Sequence, residues 1–171
     1  MHCDIAELQE FYESRLGRAA AILLRQQMQQ LWPRGAQMGQ VLGLGYAPPL
    51  LEGYLSHGGR VVAAMPAGQG ILHWPGHGPN RAVLVEETAL PFPDCFFDRI
   101  LLLHALEGAD HARAMLREAW RVLAGNGRLM VIAPNRLGLW ARRENSPFAH
   151  GQPYSLHQLR RLVQRAQFTP L

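Results

Sequence analysis

The chain has no lysine, so all 17 of its basic residues are arginine, and it has only two cysteines, Cys3 and Cys95. One possible bridge in 171 residues excludes a disulfide scaffold; either thiol reads as a small buried hydrophobe. No apolar run approaches the about 20 residues that a membrane-spanning helix needs. The first ten residues, MHCDIAELQE, carry three acids and no basic residue. They do not read as a secretory leader, and the expected compartment is the cytoplasm. Charge is scarce, at 18% against 48% hydrophobic residues, which supports a buried core and is not the composition of a disordered tail. The length fits one domain.

The formal net charge of +4 raises the question of nucleic acid. The arginines are scattered along the chain, several within a turn of an acid, as in Arg113, Arg117, Glu118 and Arg121, the pattern of a solvated helix face. Only Arg136, Arg142, Arg143, Arg160, Arg161 and Arg165 could form a basic patch, so nucleic acid is not the expected partner.

Apolar residues recur with a 3.6-residue period from Asp4 to Leu31, which predicts a long amphipathic helix with a possible break near Gly17. Val41–Leu44 then reads as a buried strand ending in a turn at Gly45. Leu50–Leu55 suits a short helix with Pro48 or Pro49 in its first turn. Val61–Met65 is a second buried strand, and the stretch from Pro66 to Asn80, rich in Gly and Pro, is expected to be an irregular loop. Further strands are expected at Val83–Val85, Arg99–Leu103 and Arg128–Ala133. A helix is expected over Asp110–Leu123, followed by a turn at Gly125-Asn126-Gly127. Ser155 caps a last helix that places Leu156, Leu159, Leu162, Val163 and Ala166 on one side. This alternation predicts an α/β fold, a parallel sheet of about five strands with helices on both faces. Residues 1–39 form a helical cap, 40–135 the core, and 136–171 a loop and the last helix.

In such a sheet a ligand lies beyond the carboxyl ends of the strands. The turn Gly43-Leu44-Gly45-Tyr46-Ala47 is built of small residues that let backbone approach a ligand, although a tight strand-to-helix turn alone also accounts for them. His104 follows the fourth strand and suits a general base, or a structural histidine. Glu86 and Glu87 follow the third strand; either reads equally as a solvated loop acid. Trp74, Trp140, Phe148, His150 and Tyr154 lie in irregular stretches that either cap a pocket or anchor their own loops. His73 and His77 flank Trp74-Pro75-Gly76, a kink that keeps both from aiming at one ion. No metal is expected.

The stretches Leu90-Pro91-Phe92-Pro93-Asp94-Cys95-Phe96-Phe97-Asp98, Leu103-His104-Ala105-Leu106-Glu107, Arg117 to Leu129 and Ala133-Pro134-Asn135-Arg136 resemble, in order and spacing, the class I S-adenosylmethionine-dependent methyltransferases of the type 11, small-molecule group. The resemblance runs from Val41 to about Asn135. It implies a Rossmann-like sheet, S-adenosylmethionine as cofactor and S-adenosylhomocysteine as product. It further implies a small-molecule methyl acceptor and cofactor contacts at Gly43, Gly45, Tyr46, Met65, Glu86, Glu87 and His104.

Several positions depart from that group. Its members carry an acid at the position of Gly43, glycines at Ala47 and Pro49, and an acid at Met65, where a thioether is a weak acceptor for ribose hydroxyls. Pro48 and Pro49 lack backbone N–H donors. These departures also allow a fold that no longer turns over and instead binds or regulates a partner. The group's sheet ends in an antiparallel strand pair, whereas this sequence stops at Leu171. Either the chain is a fragment, or another chain, a second copy or a partner, covers the edge of the last strand.

Overall fold

The computed structural model describes residues 3–32, 39–56, 59–135 and 152–171. Two helices, α1 (Ile5–Glu13) and α2 (Arg15–Leu31), precede β1 (Val41–Gly45) and α3 (Pro48–Leu51). Then come β2 (Val61–Pro66), β3 (Ala82–Val85), β4 (Phe97–Leu103), α4 (Ala112–Val122), β5 (Leu123–Ile132) and α5 (Leu156–Arg165). All four strand pairings are parallel and the order is β3-β2-β1-β4-β5. The first strand is therefore central, and the chain reverses its direction of sheet growth after β3. The crevice at that reversal is where ligands bind in open parallel sheets.

The central strands are apolar throughout because both faces are covered. Val41, Val61, Ala63, Met65, Leu101 and Leu103 pack with α1, α2 and α3. Leu42, Leu44, Ala64, Ile100 and Leu102 pack with α4 and α5. Neighbouring residues along each strand thus go to opposite faces, as the pleat requires. Each fully buried leucine contributes about 1.5–3 kcal/mol relative to exposure.

Four expectations need correction. The amino-terminal helix breaks at Ser14, not Gly17. Ser14 Oγ donates to the Phe11 carbonyl at 2.6 Å and accepts from Gly17 N at 3.0 Å, ending one helix and capping the next. Gly17 instead permits close packing, since a Cβ there would lie 1.9 Å from the Phe11 oxygen. The Gly125-Asn126-Gly127 turn is an irregularity inside β5: Phe97 pairs with Leu123 but Arg99 with Arg128, so the glycine segment is pushed out of register. Leu156 is 74% exposed and leaves the apolar side of α5. Cys95 is exposed rather than buried, with φ at 53°.

The Pro66–Asn80 stretch holds no regular helix after its β2 residue Pro66. Ser155 caps α5 with a reciprocal Gln158 contact. No described helix is long and apolar enough to cross a membrane.

Candidate functional site

Beyond the carboxyl ends of β1 and β4 the backbone takes two left-handed conformations, Gly45 at φ 90° and His104 at φ 53°. At Gly45 a Cβ would lie 2.2 Å from the Leu103 carbonyl, so only glycine lets β1 turn beside β4. His104 has a side chain and still adopts this backbone, the kind of strain that collects at functional sites. Its ring is 3% exposed.

Three side chains, two of them from distant parts of the chain, meet that histidine. Its Nδ1 lies 3.1 Å from Glu107 Oε1 and its Nε2 lies 2.9 Å from the Tyr12 hydroxyl. A carboxylate only accepts, so Nδ1 carries the proton and Nε2 accepts from Tyr12. Burial above all, then the Glu107 and Tyr46 charges, hold the Tyr12 hydroxyl well above the ordinary tyrosine range, so it stays a donor. Gln69, from the loop after β2, donates its amide to the His104 carbonyl. Gln69, His104 and Glu107 are three of the four buried polar or charged residues among those described; Glu87 is the fourth.

Two atoms of this cluster have no hydrogen-bond partner: Gln69 Oε1 and Glu107 Oε2. A buried acceptor left unpaired costs about 1–3 kcal/mol. Native interiors carry such a cost sparingly, and here two acceptors share one neighbourhood.

The remaining expected positions are spread unevenly around this cluster. Tyr46 is 5% exposed and its ring centroid lies 5.6 Å from that of Tyr12; burial, then Glu13 and Glu52, push its hydroxyl up to about 12. Met65 is fully buried in the same core cluster. Tyr12, Tyr46, Met65 and His104 are all buried, and the Tyr12 ring lies against those of Tyr46 and His104. Gly43 faces α3, and a Cβ there would meet Ala47 Cβ at 2.4 Å and Leu51 Cδ1 at 2.5 Å. An acid cannot stand at that position without displacing the helix. Glu86 is exposed and accepts from the Thr88 hydroxyl at 2.9 Å. Glu87 is buried, and burial, then Glu86 and Asp110, raise its carboxyl above the usual range.

Trp74 is buried in the core on the α1 side, and its backbone bonds to Asn80 and Arg81, so it anchors its own loop. Tyr154 donates to the Leu106 carbonyl at 3.2 Å. Trp140, Phe148, His150, Arg136, Arg142 and Arg143 lie outside the described residues. Among the described residues, no three His, Cys, Asp or Glu side chains come together as metal ligands. A groove of about 1010 Å³ separates the start of α4 from α5 and is lined by His111, Arg113, His157, Arg161 and Arg165, with Asp110 as its single acid.

Sequence reasoning singled out His104 but not its three partners. Glu107 sits three residues on, a spacing that was available as a signal. Tyr12 was hidden in a helical apolar stripe, and Gln69 in a loop with no pattern.

Solved structures with this fold include a possible histamine N-methyltransferase from Thermotoga maritima, 20% identical with a TM-score of 0.70, the match covering 97% of this chain and 78% of the other. An S-adenosylmethionine-dependent methyltransferase from Archaeoglobus fulgidus is 16% identical with a TM-score of 0.69, covering 97% and 75%. Geranyl diphosphate C-methyltransferase from Streptomyces coelicolor, seen with S-adenosylhomocysteine, is 17% identical with a TM-score of 0.61, covering 91% and 60%. No curated protein sequence matches the chain. The sequence pattern of the type 11 methyltransferase domain matches residues 36–131, more than half of the chain, which therefore belongs to that methyltransferase family, whose cofactor is S-adenosylmethionine.

Proposed function

We propose that the protein transfers a methyl group from S-adenosylmethionine to a small-molecule acceptor in the cytoplasm, with His104 taking the acceptor's proton. The observation that carries this reading is the buried chain Tyr12, His104, Glu107 at the carboxyl end of β4, on the crevice where the fold holds its ligands. Two unpaired buried acceptors beside it fit a ligand rich in O–H and N–H groups. The fit fails at Met65, where no carboxylate is offered.

Bound cofactor supplies an activated methyl group on a sulfonium. The chain's own residues do the rest. Gly45, at φ 90°, lets β1 turn beside β4. The Tyr12 hydroxyl, from α1 outside the sheet, occupies Nε2 of His104 and must give way before an acceptor reaches that nitrogen. That nitrogen then takes a proton from an O–H or N–H acceptor, a role only useful for nucleophiles that must lose one. Glu107 holds the ring by Nδ1 and stabilises the imidazolium that forms. Most of the rate enhancement comes from positioning. The Thermotoga neighbour is described as a possible histamine N-methyltransferase, so amines are the first acceptors to screen.

Titration calorimetry with S-adenosylhomocysteine tests the reading. Heat with a dissociation constant at or below the millimolar range is expected; none at millimolar ligand overturns it. Given binding, His104→Ala is expected to lower methyl transfer about 100-fold or more while leaving cofactor affinity within a few-fold.

A second reading has its own observation. Gly43 has no room for the missing acid, as expected of a domain that binds a partner instead of turning over. Among the described residues β5 is a sheet edge, the place for a second copy or partner to add. Met65→Asp separates the readings, since a dormant cofactor site gains affinity from a restored carboxylate and a repurposed one does not. Gly43→Asp is uninformative, because it collides with α3.

A further inference from the structure

Resting on the cofactor reading above, we infer that Gln69 replaces the carboxylate missing at Met65, its Oε1 accepting a hydrogen bond from a ribose hydroxyl of the bound cofactor. Topology supplies the first argument. Gln69 follows β2, and its amide reaches the carbonyl of His104, which follows β4. In the sheet β1 lies between those two strands, so the side chain crosses the carboxyl end of β1. Met65, near the end of β2, is fully buried and carries only a thioether.

The second argument is chemical. The His104 carbonyl needs a donor, which fixes the amide with its nitrogen toward His104 and its oxygen away. That oxygen is buried and unpaired. It can only be satisfied by a group that brings a hydrogen, and a ribose brings two adjacent hydroxyls. The other unpaired acceptor here, Glu107 Oε2, belongs to the residue that holds the base and lies on the β4 side. The unpaired oxygen of Gln40 precedes β1, at the opposite, amino ends of the strands.

Rigidity is the third. The loop is pinned by Ala67 N to the Val85 carbonyl, Gln69 N to the Pro66 carbonyl and Ile5 N to the Gln69 carbonyl, each at 2.9 Å. Gly70 at φ 95° completes the turn. The acceptor is therefore held in place before any ligand arrives, which lowers the entropy lost on binding.

The test compares S-adenosylhomocysteine with its 2′,3′-dideoxy analogue, titrated calorimetrically into the full chain. Wild type is expected to bind the parent about tenfold tighter than the analogue. In Gln69→Leu that ratio is expected to fall to about one, and in Gln69→Glu, which restores a carboxylate, to stay at tenfold or rise. Because the ratio is taken within one protein, a general loss of stability in a variant cancels. An equal ratio in wild type and Gln69→Leu overturns the inference and leaves the cofactor reading intact. Wild type that binds neither ligand overturns both.

Discussion

Two polar clusters flank β4, and they differ in how completely their hydrogen bonds are made. At the amino end, Arg121 of α4 uses all its donors: Nε to Glu118, Nη1 to the Phe92 carbonyl and Asp94, Nη2 to the Leu90 carbonyl and Glu118, at 2.6–2.9 Å. Glu118 accepts in addition from Leu90 N at 2.8 Å. At the carboxyl end, the His104 cluster leaves two buried acceptors open. A saturated cluster has no capacity for a ligand and holds the chain together; an unsaturated one has acceptors left over. The Leu90–Asp98 and Arg117–Leu123 stretches, the most telling for family membership, therefore form a clamp between a loop and a helix, away from the proposed chemistry.

Removing the clamp is the largest expected effect. Arg121→Met frees the Leu90 and Phe92 carbonyls and strands the Glu118 carboxylate, and should cost about 3 kcal/mol in urea unfolding, discounted for its partial exposure. A loss under 1 kcal/mol would erase the contrast.

Acid should reveal the clamp next. Arg121, by its hydrogen bonds above all, holds the Glu118 carboxyl below the usual carboxylate range. A depressed folded pKa contributes stability that is present at neutral pH and lost as pH falls below the ordinary value of 4.5. Wild type should exceed Glu118→Gln by about 1–2 kcal/mol at pH 7, with the gap closing below pH 4.5 in melting curves.

Tyr12→Phe removes one hydroxyl from the unsaturated cluster. Its expected cost is about 1 kcal/mol. Glu107→Gln is the smallest: the amide oxygen still accepts from Nδ1 and an unpaired amide nitrogen takes the place of the unpaired oxygen, so stability should hold within about 0.5 kcal/mol. Methyl transfer should fall in that variant, because an amide does not stabilise an imidazolium. A large loss of stability in Glu107→Gln would place this cluster with the clamp.

Much of the fold was legible because the strands are short continuous apolar runs flanked by glycine and proline, which only a sheet covered on both faces buries. Boundaries moved where a side chain decided them: Ser14 broke the first helix by competing for backbone groups, and Leu123 pairing with Phe97 drew the Gly125–Gly127 segment into β5. His104 was legible as a polar residue ending a buried strand. Tyr12 was not, because its bond to His104 spans 92 residues, and no local pattern reports a contact at that range. Gln69 was missed for the same reason, its partner lying 35 residues away.

Alternating apolar segments, helix caps at Asp4 and Ser155 and the spacing of the family stretches were sufficient to determine the α/β architecture, since they act through hydrophobic burial and hydrogen bonds within a few residues. The tertiary structure alone decided that Gly43 faces a helix, that Tyr12 of α1 reaches His104, and which buried acceptors stay unpaired. Those depend on which strand lies next to which, a relation between distant residues that becomes physical only when the sheet closes.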